Sequence, residues 1–189
     1  MVMRLLDGNL NIIVTALAVV ILIAQPLRAA DEDRLDNLLA ELKTAEPADA
    51  RRIAKEIQLE LSKSGSPAMD LLLKRGRDAL EAGDSRKAIG FFTALTDHAP
   101  EFAEGWHMRA IAYAKADLYG PAIANLERAL ALRPRHFNAI FSLGSMMEEV
   151  NRPAMALDAY RRALAIHPYH EGLSGAVERV APEVGGADL

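Results

Sequence analysis

Residues 106–134 read WHMRAIAYAKADLYGPAIANLERALALRP, and this stretch sets the architecture of the chain. Apolar residues recur at three- and four-residue intervals on both sides of a polar break, which indicates two amphipathic helices. The break at 117–120 joins them, and Pro121 suits the start of the second helix, where a missing N–H costs nothing. Pro134 ends that helix, because the residue before a proline is driven out of the α region. The stretch therefore predicts a helical hairpin.

The same pattern returns every 34 residues, so that Pro100, Pro134 and Pro168 share one register. Proline makes up about 5% of ordinary sequence, so two further prolines at fixed offsets occur by chance roughly once in 400 trials. Small and bulky residues repeat in the same register: Gly76, Ala110 and Gly144; Ala88, Ala122 and Ala156; Phe92, Leu126 and Tyr160; Leu72, Trp106 and Ile140. The register predicts three units without insertions, at 69–102, 103–136 and 137–170.

The alternation of small and large residues has a packing reason. A Gly or Ala of the first helix, opposite an Ala of the second, lets the two axes approach closely. Bulky residues such as Trp106 and Leu126 are expected to fill the space between successive hairpins. Each unit then buries its core against its neighbours, as repeat proteins do.

This pattern resembles the tetratricopeptide repeat (TPR). The middle unit matches it at Trp106, Ala110, Tyr113, Ala122, Leu126 and Pro134. The resemblance implies an all-α, right-handed superhelical array of helix-turn-helix repeats, an α-solenoid, over a little more than half of the chain. The whole chain is also similar to the short secreted TPR proteins of bacteria.

In TPR proteins the first helices of the repeats line a concave groove that binds protein segments. By resemblance, the candidate groove residues are Leu73, Arg77, His107, Ile111, Lys115, Asn138, Phe141 and Ser145. Three of them, Leu73, Ile111 and Phe141, form an apolar strip that no repeat-packing position explains. Acidic side chains outnumber basic ones along the lining, which favours a neutral or basic partner segment. The alternative is that flanking helices cover the strip.

The chaperone-tail TPR domains hold a terminal carboxylate with Lys, Asn and Arg. The resemblance places Leu73, Met108 and Ser142 where those groups belong. We therefore do not expect this chain to bind a terminal carboxylate in that way.

The flanks of the array also carry helical patterns. Residues 30–67 predict a helical pair, with apolar stripes at Leu35, Leu38, Leu39 and Leu42 and at Ile53, Ile57 and Leu61. One interpretation of this pair is a degenerate repeat. Residues 171–181 predict a capping helix, which repeat arrays need for solubility. Residues 182–189 predict a flexible tail.

The first 29 residues have the layout of a cleaved signal peptide. Arg4 precedes an apolar run at 12–24, and Leu27 and Ala29 suit a cleavage site after Ala29. This run of thirteen residues, apolar except for Thr15, is short for a spanning helix, which needs about 20. We expect a periplasmic or secreted protein. The alternative is an N-terminal membrane anchor, which would be the protein's only membrane contact.

Composition excludes several classes of function. The chain has no cysteine, so it has no disulfide, no thiolate metal site and no cysteine nucleophile. Its net charge of -4 does not suit a nucleic-acid partner. No phosphate loop, nucleophile elbow or metalloprotease motif is present, and the pair His167 and His170 predicts a loop rather than a metal site. We expect no catalysis, no cofactor and no metal.

Two functions fit these features. The first is a protein- or peptide-binding scaffold or adaptor acting in the periplasm through its concave groove. The alternative is a non-catalytic regulatory subunit of a secreted or envelope enzyme complex. The sequence does not identify the partner in either case.

Overall fold

A computed structural model describes residues 33–185, and over that range the chain forms nine α-helices and no strand. In chain order they are α1 (33–44), α2 (Pro47–Leu61), α3 (Pro67–Glu81), α4 (Ser85–His98), α5 (Ala103–Ala114), α6 (Tyr119–Leu132), α7 (Phe137–Glu149), α8 (Pro153–Ile166) and α9 (Leu173–Gly185). The signal peptide predicted at 1–29 lies outside the described residues. Within them, no helix has the length and apolar character needed to cross a membrane.

Helices α3 to α8 form three stacked hairpins, which confirms the all-α solenoid. The turn inside each hairpin has a left-handed residue at the same repeat position: Gly83 (φ 76°), Asp117 (φ 58°) and Asn151 (φ 55°). Glycine, Asp and Asn are the residues that tolerate this conformation. In the first hairpin Asp84 caps α4, because its carboxylate accepts the backbone N–H of Lys87 at 2.9 Å.

Close packing within a hairpin pairs a glycine with an aromatic ring. A Cβ atom added to Gly76 would lie 2.3 Å from the Phe92 ring, and one on Gly144 would lie 2.5 Å from the Tyr160 ring. These glycines therefore make room for a ring of the second helix, a contact that the sequence pattern did not predict. The middle repeat has Ala110 and the smaller Leu126 at the corresponding positions.

The remaining repeat-register residues divide into interior and boundary positions. Ala88, Ala122 and Ala156 are fully buried. Pro100 and Pro134 are exposed and end helices instead of filling the core. Trp106 is half-buried at the edge of the middle core, and its indole N–H donates to the Pro100 carbonyl at 2.9 Å.

The C-terminal helix is longer than the sequence predicted. It continues through Pro182 to Gly185, whereas the predicted flexible tail began at residue 182. A proline near a helix end removes one intrahelical hydrogen bond, and apolar contacts offset that loss here. Val177, Val180 and Val184 pack against the third repeat and hold the last turn in place.

The first two helices form a hairpin, the N-terminal pair, that does not extend the solenoid. Leu35, Leu38, Leu39 and Leu42 of α1 meet Ile53, Ile57 and Leu61 of α2 in one apolar cluster. The cluster also contains Phe137, from the start of α7, at 2% exposure. Helix α2 is not closely packed along α3, its neighbour in the chain. The apolar contacts of the pair are thus with the third repeat, far away in sequence.

Candidate binding groove

Helix α2 lies along the concave groove, and its side chains contact the first helices of all three repeats. The Gln58 amide donates to Glu104 of α5 at 2.9 Å and accepts from the Asn138 amide of α7 at 2.7 Å. Ser62, just after α2, accepts from Arg77 of α3 at 3.0 Å. The sequence left open the alternative that flanking helices cover the groove. In the structure α2 covers part of the length of the groove.

The other end of α2 reaches the last repeat. Arg51 forms an ion pair with Glu171 at 3.7 Å, beyond the end of α8. Ala54 lines a cavity together with Phe137 and Asn138. Helix α2 consequently runs from the third repeat towards the first, opposite to the order of the repeats.

Helix α2 uses two adjacent faces for two different purposes. Ala50, Ile53, Ile57 and Leu61 form its buried face in the apolar cluster with α1. Arg51, Ala54, Gln58 and Ser62 follow one position later and face the repeats. Residues three and four apart lie on one side of a helix, so each set forms a single stripe.

A buried carboxylate lies at the centre of the contact between α2 and the repeats. Glu104 is only 1% exposed, and four side chains from four different elements donate to it. Its Oε1 accepts from Arg77 at 2.5 Å and from Gln58. Its Oε2 lies 3.1 Å from Nδ1 of His107 and 2.9 Å from Nε2 of His136. We call these five residues the Glu104 network.

The hydrogen bonds fix the protonation of this network. Burial alone would raise the pKa of Glu104, but hydrogen bonds from His107 and His136 outweigh it and hold the pKa well below its usual range. Burial lowers the pKa of His136, so its ring is neutral at pH 7. Nδ1 of His136 accepts the backbone N–H of Ala139 at 3.3 Å, capping α7, so its proton is on Nε2 and is donated to Glu104.

Within the described residues, Glu104, His107 and His136 also offer three ligand atoms within 4.8 Å of one another, a spacing compatible with a metal ion. Two contacts oppose that use. The Arg77 guanidinium already lies against the carboxylate, and His136 would have to move its proton to Nδ1, facing the Ala139 N–H. The hydrogen bonds satisfy the network without a metal, and we assign none to it.

A cavity of about 330 Å³ remains between α2 and the end of the third repeat. Its lining includes Arg51, Ala54, Phe137, Asn138, His167, Tyr169, His170 and Glu171. Within the described part of the chain, the buried Nδ1 atoms of His167 and His170 have no hydrogen-bond partner. Burial lowers the pKa of His167 to about 4 and also lowers the pKa of His170, so both rings are neutral at pH 7.

The predicted groove residues do not form one open surface. Leu73 is 2% exposed and packs with Phe92 and Leu95, so it belongs to the core of the first repeat and not to the apolar strip. His107 is buried in the Glu104 network. Arg77 and Asn138 contact the α2 segment directly.

The other four predicted residues lie elsewhere along the groove. Ile111, Phe141 and Ser145 are half-buried and Lys115 is exposed, all on α5 and α7 or just beyond α5. Within the described part of the chain, none of the four forms a hydrogen bond or ion pair with α2. Phe141 packs beside Tyr160 and His170, with ring centroids 5.6 and 4.9 Å apart. We call these four residues the open half of the groove.

Sequence reasoning missed the Glu104 network as a unit. Glu104 is the second residue of its repeat, which is a groove position. A glutamate at such a position predicts a solvent-exposed charge, because glutamates are rarely buried. The sequence places His136 just after the end of a second helix, whereas in the structure it caps the start of α7. Gln58 precedes the array altogether, and no local pattern connects it with Glu104.

No protein-family model matches the chain. It is 29% identical over 159 residues to a TPR repeat-containing protein of Rhizobium etli, covering 84% of this chain and 78% of that one. It is 31% identical to part of the Hsp70-Hsp90 organizing protein of Triticum aestivum, over 60% of this chain and 21% of the relative.

The fold is similar to that of solved TPR domains. The Sgt2 TPR domain from Aspergillus fumigatus superposes with a TM-score of 0.61 at 22% identity, covering 65% of this chain and 83% of that one. The three hairpins of α3 to α8 thus have the fold of solved TPR domains. The first TPR domain of Spaghetti (RPAP3), solved with an HSP90 peptide, superposes with a TM-score of 0.60 at 20% identity, covering 62% of this chain and 93% of that domain.

Proposed function

We propose that this TPR protein is a non-catalytic adaptor that acts in the periplasm and binds a protein or peptide segment through its concave groove. The observation that carries the proposal is the groove's present occupant: α2, a helix of the same chain, lies there and is held by side-chain hydrogen bonds. A surface that accommodates one helical segment has the shape and the polar groups to accommodate another. The first TPR domain of Spaghetti (RPAP3), which has a similar fold, is bound to an HSP90 peptide, and this supports the same conclusion.

The open half of the groove is the first contact surface for this partner. Ile111 and Phe141 supply apolar area, and Ser145 and Lys115 supply polar groups beside it. Glu149 is also exposed at the same end of α7, while Glu104 is buried and compensated by Arg77. A neutral or weakly basic segment with an apolar anchor fits this surface.

The test begins with the partner itself. Protein captured from the native envelope is identified by mass spectrometry and titrated against the wild type, Phe141→Ala and Ile111→Arg at low and high salt. Removing a central aromatic anchor commonly costs about 2 kcal/mol, so we expect binding at least roughly tenfold weaker for Phe141→Ala. Binding through apolar contacts should change little with salt.

Met155→Ala is the matched control, since Met155 is a half-exposed apolar residue on a second helix of the array. Circular dichroism checks that each variant is folded, and Ile111→Arg covers the case in which Phe141→Ala loosens the core near Tyr160. Equal affinities for the wild type and both groove variants would move the site off this face. One large stoichiometric partner with enzymatic activity would favour a regulatory subunit.

The periplasmic location rests on the N-terminal sequence and is tested separately. Intact-mass analysis of the protein from its host should show a chain beginning at Ala30 in the periplasmic fraction. A chain that retains residues 1–29 in the membrane fraction would contradict this part of the proposal.

A further inference from the structure

We propose that the N-terminal pair is a built-in competitor for the groove, and that the partner is an amphipathic helix that takes the place of α2 and reproduces its contact pattern. The inference rests on the proposed function and specifies it, by naming the class of partner and the event that admits it. It is carried by the contacts between α2 and the repeats.

The contact face of α2 defines the chemistry of the partner. Ala54 lies over the cavity beside Phe137, and one turn later the Gln58 amide donates to Glu104 and accepts from Asn138. A partner helix therefore needs a small residue followed, four positions later, by an amide. A lysine or arginine at the second position would also meet the Glu104 carboxylate.

A helix fits this site better than an extended strand. The contacts of α2 come from Arg51, Ala54, Gln58 and Ser62, at intervals of three and four residues. All of its hydrogen bonds to the repeats are made by side chains, while its own backbone is satisfied within the helix. An extended segment would bring backbone N–H and C=O groups to a surface that offers them no ladder of partners.

The N-terminal pair is held in the groove less firmly than a repeat helix is held in the array. A cavity of about 330 Å³ remains under α2, and the ion pair of Arg51 with Glu171 is exposed. The connection to α3 is the short segment 62–66, which contains Gly65 with a φ of 79°. In the proposed exchange this segment is the hinge, and the pair moves as a unit because α1 and α2 share their own apolar cluster.

Removing the N-terminal pair without a replacement would have a high free-energy cost. Phe137 is 2% exposed and Glu104 is 1% exposed with the pair in place, and both contact residues of α2 or its cluster. Departure of the pair alone would expose an aromatic ring and remove a donor from a buried carboxylate. Replacement by a helix of the same pattern restores both contacts, so partner binding and release of the pair are coupled.

The experiment adds the N-terminal pair as a separate peptide and measures whether the peptide binds in the groove. A fluorescent synthetic peptide covering residues 33–64 is titrated against the full mature chain, and binding is followed by anisotropy. The double variant Ala54→Arg, Gln58→Ala weakens the contact face of the chain's own α2 without changing the groove. We expect the peptide to bind this variant at least tenfold more tightly than it binds the wild type or the control Lys55→Ala, whose side chain is exposed.

A covalent cross-link between α2 and the groove should have the opposite effect on peptide binding. The chain has no cysteine, so Gln58→Cys with Asn138→Cys can be joined by a short bis-maleimide, since the two native amides are 2.7 Å apart. The joined chain should show no peptide binding, whereas the same double-cysteine variant left unjoined should bind the peptide. Circular dichroism and sedimentation confirm that every variant is folded.

Two results would overturn the inference. Equal peptide affinity in the loosened and locked chains would show that α2 does not compete for the groove. A concentration-dependent dimer of the loosened variant would make a second copy of this chain the occupant. Neither result depends on the native partner, so this test can fail while the groove variants Phe141→Ala and Ile111→Arg still weaken partner capture, and the reverse also holds.

Discussion

The N-terminal pair and the first repeat are both helical hairpins, but they attach to the molecule by different means. In the first repeat, Gly76 admits the Phe92 ring, and the two helices approach closely. The residues 34 positions earlier are Leu42 and Gln58. A large side chain thus stands where the repeat needs a small one, and an amide stands where it needs a bulky apolar or aromatic side chain. The pair cannot pack as a repeat, and Gln58 is left to bind across the groove.

This difference separates two kinds of stability. The repeats depend on close contact between helices, where added volume or charge has a high cost. The N-terminal pair depends on an apolar cluster shared with Phe137 and on the Glu104 network, with a cavity left between. Changes to close contacts should therefore have larger effects than changes to the polar contacts of the pair.

The largest effect should come from a repeat contact. Ala122→Arg places a long cation where the side chain is fully buried, and we expect a loss of roughly 4 kcal/mol or more from overpacking and buried charge. Ala124→Arg, at an exposed position of the same helix, is the control and should be nearly neutral. Thermal melting followed by circular dichroism measures both. An unchanged melting temperature for Ala122→Arg would contradict the repeat register.

The second-largest loss of stability should come from a change in the Glu104 network. Glu104→Gln removes the negative charge that compensates Arg77, and we expect a loss of roughly 2–4 kcal/mol in the free energy of unfolding. Glu101→Gln is the control, because Glu101 makes an exposed ion pair with Arg128 that is worth about 1 kcal/mol or less. Urea unfolding compares the two. Equal small losses would mean that the buried carboxylate does not help to join α2 to the array.

Acid should weaken the cavity end of the pair by a smaller amount. Burial lowers the pKa of His167 from 6.5 to about 4 in the folded chain. Below pH 6.5 the His167 ring therefore takes up a proton in the unfolded chain, but in the folded chain it does so only near pH 4. The contribution of His167 to the free energy of unfolding is thus fully present above pH 6.5 and is lost as the pH falls towards 4. The lowered pKa of His170 acts in the same direction. Between pH 7.5 and 5 we expect His167 to account for roughly 1–2 kcal/mol.

His167→Phe isolates this contribution. The substitution removes the titrating ring, whose Nδ1 atom has no hydrogen-bond partner among the described residues, and it keeps an aromatic group beside Phe137. Melting temperatures measured across the pH range should fall less steeply for His167→Phe than for the wild type. His98→Phe, at an exposed position, should keep the wild-type slope. Parallel slopes for all three proteins would exclude His167 as the source.

The smallest effect should come from the exposed ion pair at the edge of the N-terminal pair. Arg51 and Glu171 have side chains 81% and 84% exposed and lie 3.7 Å apart. Arg51→Ala should change the free energy of unfolding by less than about 0.5 kcal/mol at any salt concentration. A loss above about 1 kcal/mol would show that ion pairs, and not the apolar cluster, hold the pair in place.

The open half of the groove shows which features the resemblance to TPR proteins predicts. The resemblance gave the correct helices for Ile111 and Phe141, because the repeat register fixes which face of each helix is turned inwards. It placed Leu73 on the same strip, but Leu73 is buried with Phe92 and Leu95. The register gives a side chain's direction, whereas exposure depends on what packs against it.

The sequence by itself determined the repeat, since proline positions, small–large alternation and turn residues are local and recur every 34 residues. It also determined the cap at Asp84 and the amphipathic stripes of α1 and α2. Only the tertiary structure decided where that hairpin goes and which groups meet there. Gln58 reaches Glu104 and Asn138 across 46 and 80 residues of chain, and helical periodicity carries no information about contacts at such separations. Those contacts depend on the curvature of the stacked repeats, which turns side chains from three helices towards one line.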